Sequence, residues 1–303
     1  MTAPEFIPFA PGERCLDWLA LIQAIERGHD LPRAKVTDSF LYRGEDTLLN
    51  RAAWIDGLGL AVKSATIFPA QTPSINGGVS LYSDTTGVLE AVIDFHLVTK
   101  WKTAADSLLA ARKLAIPDAR NILIVGAGTL AHGLREAYGA GFGDAKFSVW
   151  NRTASRAERL AANYPDTNVA ADLERAVGEA DIITCATMAT DPVIKGAWLR
   201  PGQHLDLVGA YRPDMREADD EAIATARKFV DNRDTVLGHI GEFKIPLAAG
   251  LITADQVVGD FYDLPHGVFQ RGSADEITVF KNGGGAHLDL MTCRHILDCW
   301  RQA

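Results

Sequence analysis

Three small residues follow an apolar strand at a spacing that has chemical consequences. In "NILIVGAGTLA", Gly126, Gly128 and Ala131 form the pattern G-x-G-x-x-A directly after a buried-type strand and at the start of a helical pattern. Gly126 permits a tight turn, Gly128 lets a pyrophosphate approach the backbone, and Ala131 lets the helix lie close to the strand. The first N–H groups of this helix, including those of Thr129 and Leu130, would face the phosphates. The pattern therefore predicts a dinucleotide site.

The residues after the next predicted strand indicate which dinucleotide is bound. In "VWNRTASR", Asn151 stands where an NAD site usually carries an acid for the ribose 2′-hydroxyl. Arg152 and Thr153 offer a guanidinium and a hydroxyl suited to a 2′-phosphate, and Arg156 adds a second positive charge. The alternative is a solvated basic helix start. We predict NADPH as the cofactor, with NADH as the alternative.

The hydrophobic pattern that positions these residues changes along the chain. Up to about residue 95, short β-like pieces separated by Gly, Pro and Asn predict an α+β region, and residues 98–115 have helical spacing. Buried-type strands then alternate with helices, and we predict them at residues 121–125, 146–150, 181–187, 204–209 and 228–232. This alternation is typical of an α/β fold whose parallel sheet is covered on both faces.

Composition restricts the class of partner. The chain has 303 residues, a net charge of −9 and no basic tract, which argues against nucleic acid or an anionic membrane as a partner. The sequence has no signal-like start and no apolar run long enough to cross a bilayer, and its four cysteines form no CxxC pair. We expect a cytoplasmic protein that acts on a small molecule.

Seven blocks of sequence, in order along the chain, resemble the ornithine cyclodeaminase and mu-crystallin family, and most closely its members that reduce cyclic ketimines. The blocks are "LPRAKV", "AVKSATIFP", "INGGVSLYSDTTG", "VTKWKTAADSLLAA", "ILIVGAGTLA", "LVGAYRPDMREAD" and "EITVFKNGGGAHLD". The resemblance implies a homodimer. It also implies that residues 1–104 and 275–303 form a substrate-binding and dimerisation domain beside a Rossmann domain of residues 105–274.

The same resemblance implies residues that hold a substrate carboxylate. These are Arg33, Lys63 and Lys102, the last standing where most members have arginine. Lysine keeps the charge but loses the planar, two-pronged grip of arginine. Further residues that we expect at the bound cofactor are Asn76, Lys102, Thr187, Val208, Gly209, Ala210 and Asn282, and we expect Gly283 at the substrate.

A second departure from the family concerns the branch that deaminates ornithine. Those members carry an aspartate two places after a glycine in the "LVGAY" block, where this chain has Tyr211. A phenol cannot replace a carboxylate base at neutral pH. Asp214 lies three residues further on, and using it would require a loop shift that we do not assume. Cyclodeamination is therefore disfavoured.

These residues predict an NADPH-dependent oxidoreductase that reduces a cyclic 2-imino acid. The leading reaction is Δ1-pyrroline-2-carboxylate to L-proline, with Δ1-piperideine-2-carboxylate to L-pipecolate as a related one. We expect Lys63 to deliver or maintain the proton on the imine nitrogen, with a bound water or the substrate's own proton as alternatives. Three other functions stay open: an alanine or N-alkyl amino acid dehydrogenase, an ornithine cyclodeaminase, and a mu-crystallin-like NADPH-dependent ligand-binding protein.

Other clusters of reactive residues have structural explanations. His287, Cys293 and His295 fit no zinc spacing, so we expect no metal, and Cys185 lies in a predicted core strand. The acidic run "DMREADDEA" is explained by its place at a helix start, where carboxylates interact favourably with the helix dipole.

Overall fold

The computed structural model describes residues 3–303, and they form two compact units. The first unit comprises the residues up to Lys102 together with Gly285–Ala303, and the second comprises Thr103–Gly284. The sequence predicted these boundaries after residues 104 and 274 instead. The larger difference arises because residues 278–281, predicted to belong to the substrate domain, form a strand of the second unit's sheet.

The strands of the described residues vary from three to ten residues in length. They are β1 (Glu5–Ile7), β2 (Lys35–Arg43), β3 (Asp46–Ile55), β4 (Gly59–Ile67), β5 (Ile75–Tyr82), β6 (Leu89–Asp94), β7 (Asn121–Val125), β8 (Lys146–Trp150), β9 (Thr167–Val169), β10 (Ile182–Cys185), β11 (His204–Leu207), β12 (Arg227–Val230), β13 (Val257–Gly259) and β14 (Thr278–Lys281).

The α-helices precede, separate and follow these strands. They are α1 (Phe9–Glu13), α2 (Trp18–His29), α3 (Phe95–Leu114), α4 (Thr129–Gly141), α5 (Ala154–Ala161), α6 (Leu173–Glu179), α7 (Asp220–Thr225), α8 (Arg233–Val236), α9 (Gly241–Ala248) and α10 (Ala286–Gln302). Short 3₁₀ helices cover Gly196–Trp198, Ala254–Gln256 and Phe261–His266. No helix within residues 3–303 is long and apolar enough to cross a membrane.

The first unit contains a mixed sheet in the order β1-β6-β5-β4-β3-β2. Neighbouring strands from β2 to β6 are antiparallel, and β1 runs parallel to β6. Alternate residues of β4 and β5 are buried, as expected for strands with one covered face. Helix α10 contacts β3 and β4 and buries apolar side chains such as Leu288 and Met291. Helix α10 thus packs on the sheet over β3 and β4.

The second unit contains a parallel sheet in the order β13-β12-β14-β11-β10-β7-β8-β9. Its central strands bury almost every residue, among them Leu123 and Val125 on β7 and Leu205 on β11. This confirms the predicted α/β class. The predicted strands at 121–125 and 146–150 match β7 and β8, whereas β10 and β11 are shorter than predicted. In such a sheet, ligands bind outside the carboxyl ends of the strands.

Candidate active site

The turn after β7 is tight at Gly126 and open at Gly128. Gly126 has φ of +110°, and a Cβ there would lie 2.5 Å from the carbonyl oxygen of Ala186. Only glycine fits that position without strain. At Gly128, by contrast, a Cβ would meet nothing within 4 Å. The side chain of Ala131 is fully buried under the start of α4. The turn therefore leaves open space in front of Gly128.

The N-terminus of α4 offers hydrogen-bond donors at this open space. Gly128 is the N-cap residue, and no side chain of the described residues caps this end of the helix. Thr129 is exposed and Leu130 half-buried, so the first turn of α4 is accessible. Uncapped N–H groups and the helix dipole both favour an anion. These residues fit the pyrophosphate of a dinucleotide.

The loop after β8 adds positive charge beside this turn. The Asn151 side chain links the two loops, since its Oδ1 accepts from the N–H of Ala127 at 3.2 Å and its Nδ2 donates to the Thr153 carbonyl at 2.9 Å. Arg152 and Arg156 are exposed, and neither has an ion-pair partner within residues 3–303. The guanidinium groups of Arg152 and Arg156 are therefore accessible to an anion at this end of the sheet.

The other predicted cofactor residues of the second unit follow β10, β11 and β14. Thr187 lies two residues after the end of β10, and Val208, Gly209 and Ala210 follow β11 directly. Asn282 follows β14, and its Nδ2 donates to the Thr103 carbonyl and to Ser107 Oγ, both at 3.0 Å. Because these strands are parallel, their carboxyl ends share one edge of the sheet with the glycine turn.

Gly283 lies at the same edge. Its N–H donates to Asp231 Oδ2 at 3.0 Å, and Asp231 is the first residue after β12. The sequence reasoning missed Asp231. Its carboxylate fixes the glycine-rich segment that includes Gly283 and Gly284.

In the first unit, Lys63 on β4 is 8% exposed and forms an ion pair with Asp289 on α10. The Lys63 Nζ to Asp289 Oδ1 distance is 3.0 Å, and Nζ also lies 4.7 Å from the ring centroid of Phe95. Burial alone would raise the pKa of Asp289. The charges of Lys63, Lys102 and Arg51 outweigh burial and hold that pKa below its usual value.

We define the cation cluster as Arg33, Arg51, Lys63 and Lys102. Lys102 on α3 is 6% exposed, whereas Arg33, before β2, is exposed. Arg51 on β3 stands directly opposite Lys63 on β4, and it pairs with Asp38 at 3.0 Å. Like charges directly opposite each other on neighbouring strands destabilise a sheet. This placement favours the binding of a further anion, and Arg51 is a member that the sequence reasoning missed.

Two histidines lie against the cation cluster without adding charge to it. His29 on α2 and His287 on α10 are both buried, with their ring centroids 5.4 Å apart. Burial, assisted by the charge of Arg33, lowers the pKa of His29 to about 4. Burial and the neighbouring His29, Lys102 and Arg33 lower the pKa of His287. Both rings are therefore neutral at pH 7, and the positive charge belongs to the lysines and arginines.

The two remaining sequence predictions concern exposed residues. Asn76 on β5 is exposed, and its Nδ2 donates to the Pro73 carbonyl at 3.2 Å. Tyr211 is 57% exposed. Asp214 pairs with Arg212 through two bonds of 3.0 and 2.9 Å, which hold the pKa of this carboxyl below its usual value. The Asp214 carboxylate is thus already engaged in an ion pair with Arg212.

Comparison with known proteins gives consistent results. The sequence profile described as "Ornithine cyclodeaminase/mu-crystallin family" matches residues 66–303. The Delta(1)-pyrroline-2-carboxylate reductase of Paracoccus denitrificans (strain Pd 1222) is 48% identical over 305 aligned positions, which cover 97% of this chain and 96% of that protein. The ketimine reductase mu-crystallin of Mus musculus is 34% identical over 229 positions, which cover 75% of this chain and 71% of that protein.

A solved structure shares the fold. It is the Delta(1)-pyrroline-2-carboxylate reductase of Thermococcus litoralis in complex with NADH and L-proline, with a TM-score of 0.89 and 24% sequence identity. The match covers 98% of each chain. At this identity the likeness shows the fold alone, and the shared fold is the Rossmann-type sheet with its second, mixed α+β unit.

Proposed function

The chain belongs to the ornithine cyclodeaminase/mu-crystallin family, and we propose that it reduces the cyclic 2-imino acid Δ1-pyrroline-2-carboxylate to L-proline with NADPH. It is an oxidoreductase that acts on a C=N bond. In this proposal its cofactor is a nicotinamide dinucleotide. The observation that carries the choice of substrate is the cation cluster with its two buried lysines, Lys63 and Lys102. A dinucleotide site alone fits any reductase, whereas buried cations select an anionic substrate.

The substrate carboxylate is held by the cation cluster in this proposal. Lys63 and Lys102 are 8% and 6% exposed, so they are poorly screened by water and attract an anion more strongly than surface lysines do. Asp289 and Asp38 neutralise part of the cluster's charge. A single carboxylate would relieve the remaining repulsion, including that between Arg51 and Lys63. Because lysines give point-charge contacts, Lys63 and Lys102 set the position of the carboxylate more than its orientation.

The dinucleotide is held by the second unit. When bound, it supplies the hydride for the imine carbon, and the reaction also requires a proton on the imine nitrogen. The turn at Gly126 and Gly128 and the start of α4 would take the pyrophosphate. Arg152, with Thr153, would take the 2′-phosphate, which is the basis for proposing NADPH over NADH.

Lys63 is also the residue proposed to keep the imine nitrogen protonated. Its Nζ donates a hydrogen bond to Asp289 Oδ1, and its remaining N–H groups can donate to the substrate. An ammonium placed beside an imine nitrogen can supply the proton that product formation consumes.

The function is tested by following NADPH absorbance with a panel of substrates. The panel contains Δ1-pyrroline-2-carboxylate, Δ1-piperideine-2-carboxylate, and pyruvate with ammonia or methylamine, each assayed with NADPH and NADH. We expect the highest kcat/KM with the five-membered imine and NADPH, and L-proline as the product. Absence of proline formation by folded protein would exclude the proposal. Faster turnover of pyruvate with an amine would instead indicate an amino acid dehydrogenase, and binding without turnover would indicate a ligand-binding protein.

We predict that the native protein releases no ammonia from L-ornithine. Tyr211 stands in place of the aspartate of the deaminating members, and Asp214 is paired with Arg212. Because the Tyr211 side chain is 57% exposed and is not the proposed proton donor, Tyr211→Phe should keep imine reductase activity within about threefold. The checks are an ammonia assay with ornithine and NADP⁺, and the reductase kinetics of the variant. Ornithine turnover, or a thousandfold loss in Tyr211→Phe, would contradict this prediction.

We also propose a homodimer, built through the free edge of the mixed sheet. All nine residues of the edge strand β2 are exposed. They include Phe40 and Tyr42, whose rings stack with centroids 6.1 Å apart, and Leu41, which is 66% exposed. Long exposed edge strands with apolar side chains pair readily with another chain. Light scattering should give twice the chain mass of 32.7 kDa, and a monomer would exclude the proposal.

A further inference from the structure

The loops after β10 and β11 approach each other closely. A Cβ at Gly209 would lie 2.0 Å from the carbonyl oxygen of Thr187 and 2.4 Å from its nitrogen. No other residue could occupy position 209 without moving one of the two loops. The shape of this edge of the sheet therefore depends on what keeps Thr187 against Gly209.

Glu217 joins these two loops through one buried carboxylate. Its Oε1 accepts from the N–H and the hydroxyl of Thr187, at 2.6 and 2.8 Å. Its Oε2 accepts from the N–H groups of Gly209 and Ala210, at 2.6 and 3.3 Å. Glu217 is fully buried. All four partners are donors, so the ionised carboxylate is the form that satisfies them.

A second buried carboxyl holds Glu217 itself in place. Glu242 on α9 accepts from the N–H of Glu217 at 2.8 Å and from the N–H of Ala218 at 3.0 Å. Burial and the charge of Glu217 raise the pKa of Glu242 to about 7. Burial also raises the pKa of Glu217, while Lys281 and the donors of Thr187 oppose that rise. This acidic run was predicted to be explained by a helix start; Asp219 does cap α7, but Glu217 has a different role.

The sheet order indicates which part of a dinucleotide these loops would contact. Strand β7 lies between β8 and β10, and β11 lies beyond β10. With the 2′-phosphate at Arg152 after β8 and the pyrophosphate at the turn after β7, the other end of the dinucleotide must extend over β10 and β11. That end carries the nicotinamide. Thr187, Gly209 and Ala210 would then lie beside the nicotinamide half.

The geometry points to Glu217 as a positioning residue for the nicotinamide half of the cofactor, acting through the loops that contain Thr187 and Gly209. This inference rests on the proposed function. Glu217 touches neither substrate nor cofactor; it fixes the backbone that would contact the ring. Loss of the Glu217 carboxylate should weaken binding of the nicotinamide half and leave binding of the adenosine end unchanged.

The test compares Glu217→Gln with a matched variant, Asp181→Asn. Asp181 also accepts from backbone N–H groups, those of Arg120 and Asn121 at 2.9 and 3.0 Å, but it lies at the amino ends of β7 and β10. Fluorescence titration measures NADPH affinity, and calorimetry measures affinity for 2′,5′-ADP, which lacks the nicotinamide half. In Glu217→Gln we expect the Kd of NADPH to rise about tenfold and that of 2′,5′-ADP to change by less than about twofold. Asp181→Asn should change neither.

A milder variant covers the case in which Glu217→Gln does not fold. Thr187→Val removes only the hydroxyl donor to Glu217 Oε1, and the Kd of NADPH should rise about threefold. Unchanged NADPH affinity in the folded variants, or an equal loss for NADPH and 2′,5′-ADP, would overturn the inference. Failure of the native protein to bind either NADPH or NADH would overturn the proposed function instead.

Discussion

Replacing Lys63 by methionine should lower kcat/KM for Δ1-pyrroline-2-carboxylate about a thousandfold, within the range that one acid–base group contributes. Lys63 is the buried cation that pairs with Asp289, and in the proposed reaction it both holds the carboxylate and maintains the proton on the imine nitrogen. Methionine keeps much of the side-chain volume but provides neither charge nor donor. Steady-state kinetics at saturating NADPH measure the effect, and the Kd of NADPH should stay within about twofold.

Two controls separate chemistry from stability in this experiment. Lys63→Met leaves Asp289 buried without its 3.0 Å partner, so the double variant Lys63→Met/Asp289→Asn removes both charges and should recover stability but not activity. Lys228→Met removes another buried lysine, one that donates to the carbonyl oxygen of Ala226 at 2.7 Å, and should leave kcat/KM within about threefold. A Lys63→Met enzyme with near-native kcat/KM would refute the role of Lys63 in catalysis.

The glycine turn and the strand and helix beside it could be predicted from sequence because their signals are local. The strand, the glycine turn and the helix start occupy eleven consecutive positions from Asn121 to Ala131. Gly126 needs a positive φ for steric reasons that hold in any such turn. Strands β7 and β8 were likewise predicted to the residue, because each is a short, apolar-rich segment flanked by turn residues that mark where the strand begins and ends.

The cation cluster could be predicted only in part because its members meet through tertiary structure. Asp289 lies 226 positions from Lys63 in the sequence, and nothing local marks it as the lysine's partner. Arg51 becomes visible only once β3 and β4 are paired in their observed register. The resemblance to the family identified the cations, whereas the structure identified the carboxylates that balance them.

Two errors have the same physical origin, which is that a short segment can satisfy two patterns. The strand β14 has four residues and precedes a glycine-rich stretch, so the sequence placed it in the C-terminal part of the substrate-binding domain. Its backbone instead pairs with β11 and β12. Glu217 lies in an acidic run before α7 and read as part of a helix start. Burial decides both cases, and burial depends on the whole fold rather than on the neighbouring residues.

Replacing Arg152 by alanine should raise the KM for NADPH about ten- to a hundredfold and leave that for NADH nearly unchanged. The loss corresponds to about 1.5–3 kcal/mol for a hydrogen bond between charged groups. Arg152 is exposed and has no ion-pair partner among residues 3–303, so its removal leaves no buried charge and should not alter stability. Parallel titrations of the variant with both cofactors, at constant ionic strength, measure the change.

Arg156 supplies the matched control for this prediction. It is also exposed and stands one helical turn further along, on α5, so a general loss of positive charge would affect NADPH binding equally in either variant. A specific contact predicts a larger effect at Arg152, because Arg152 is next to Asn151, whose side chain bonds the N–H of Ala127 in the glycine turn at 3.2 Å. Equal loss for NADPH and NADH in Arg152→Ala would refute the assignment of the 2′-phosphate. An Arg156→Ala effect as large as that of Arg152→Ala would show instead that the preference for NADPH comes from long-range attraction, which raising the salt concentration should then abolish.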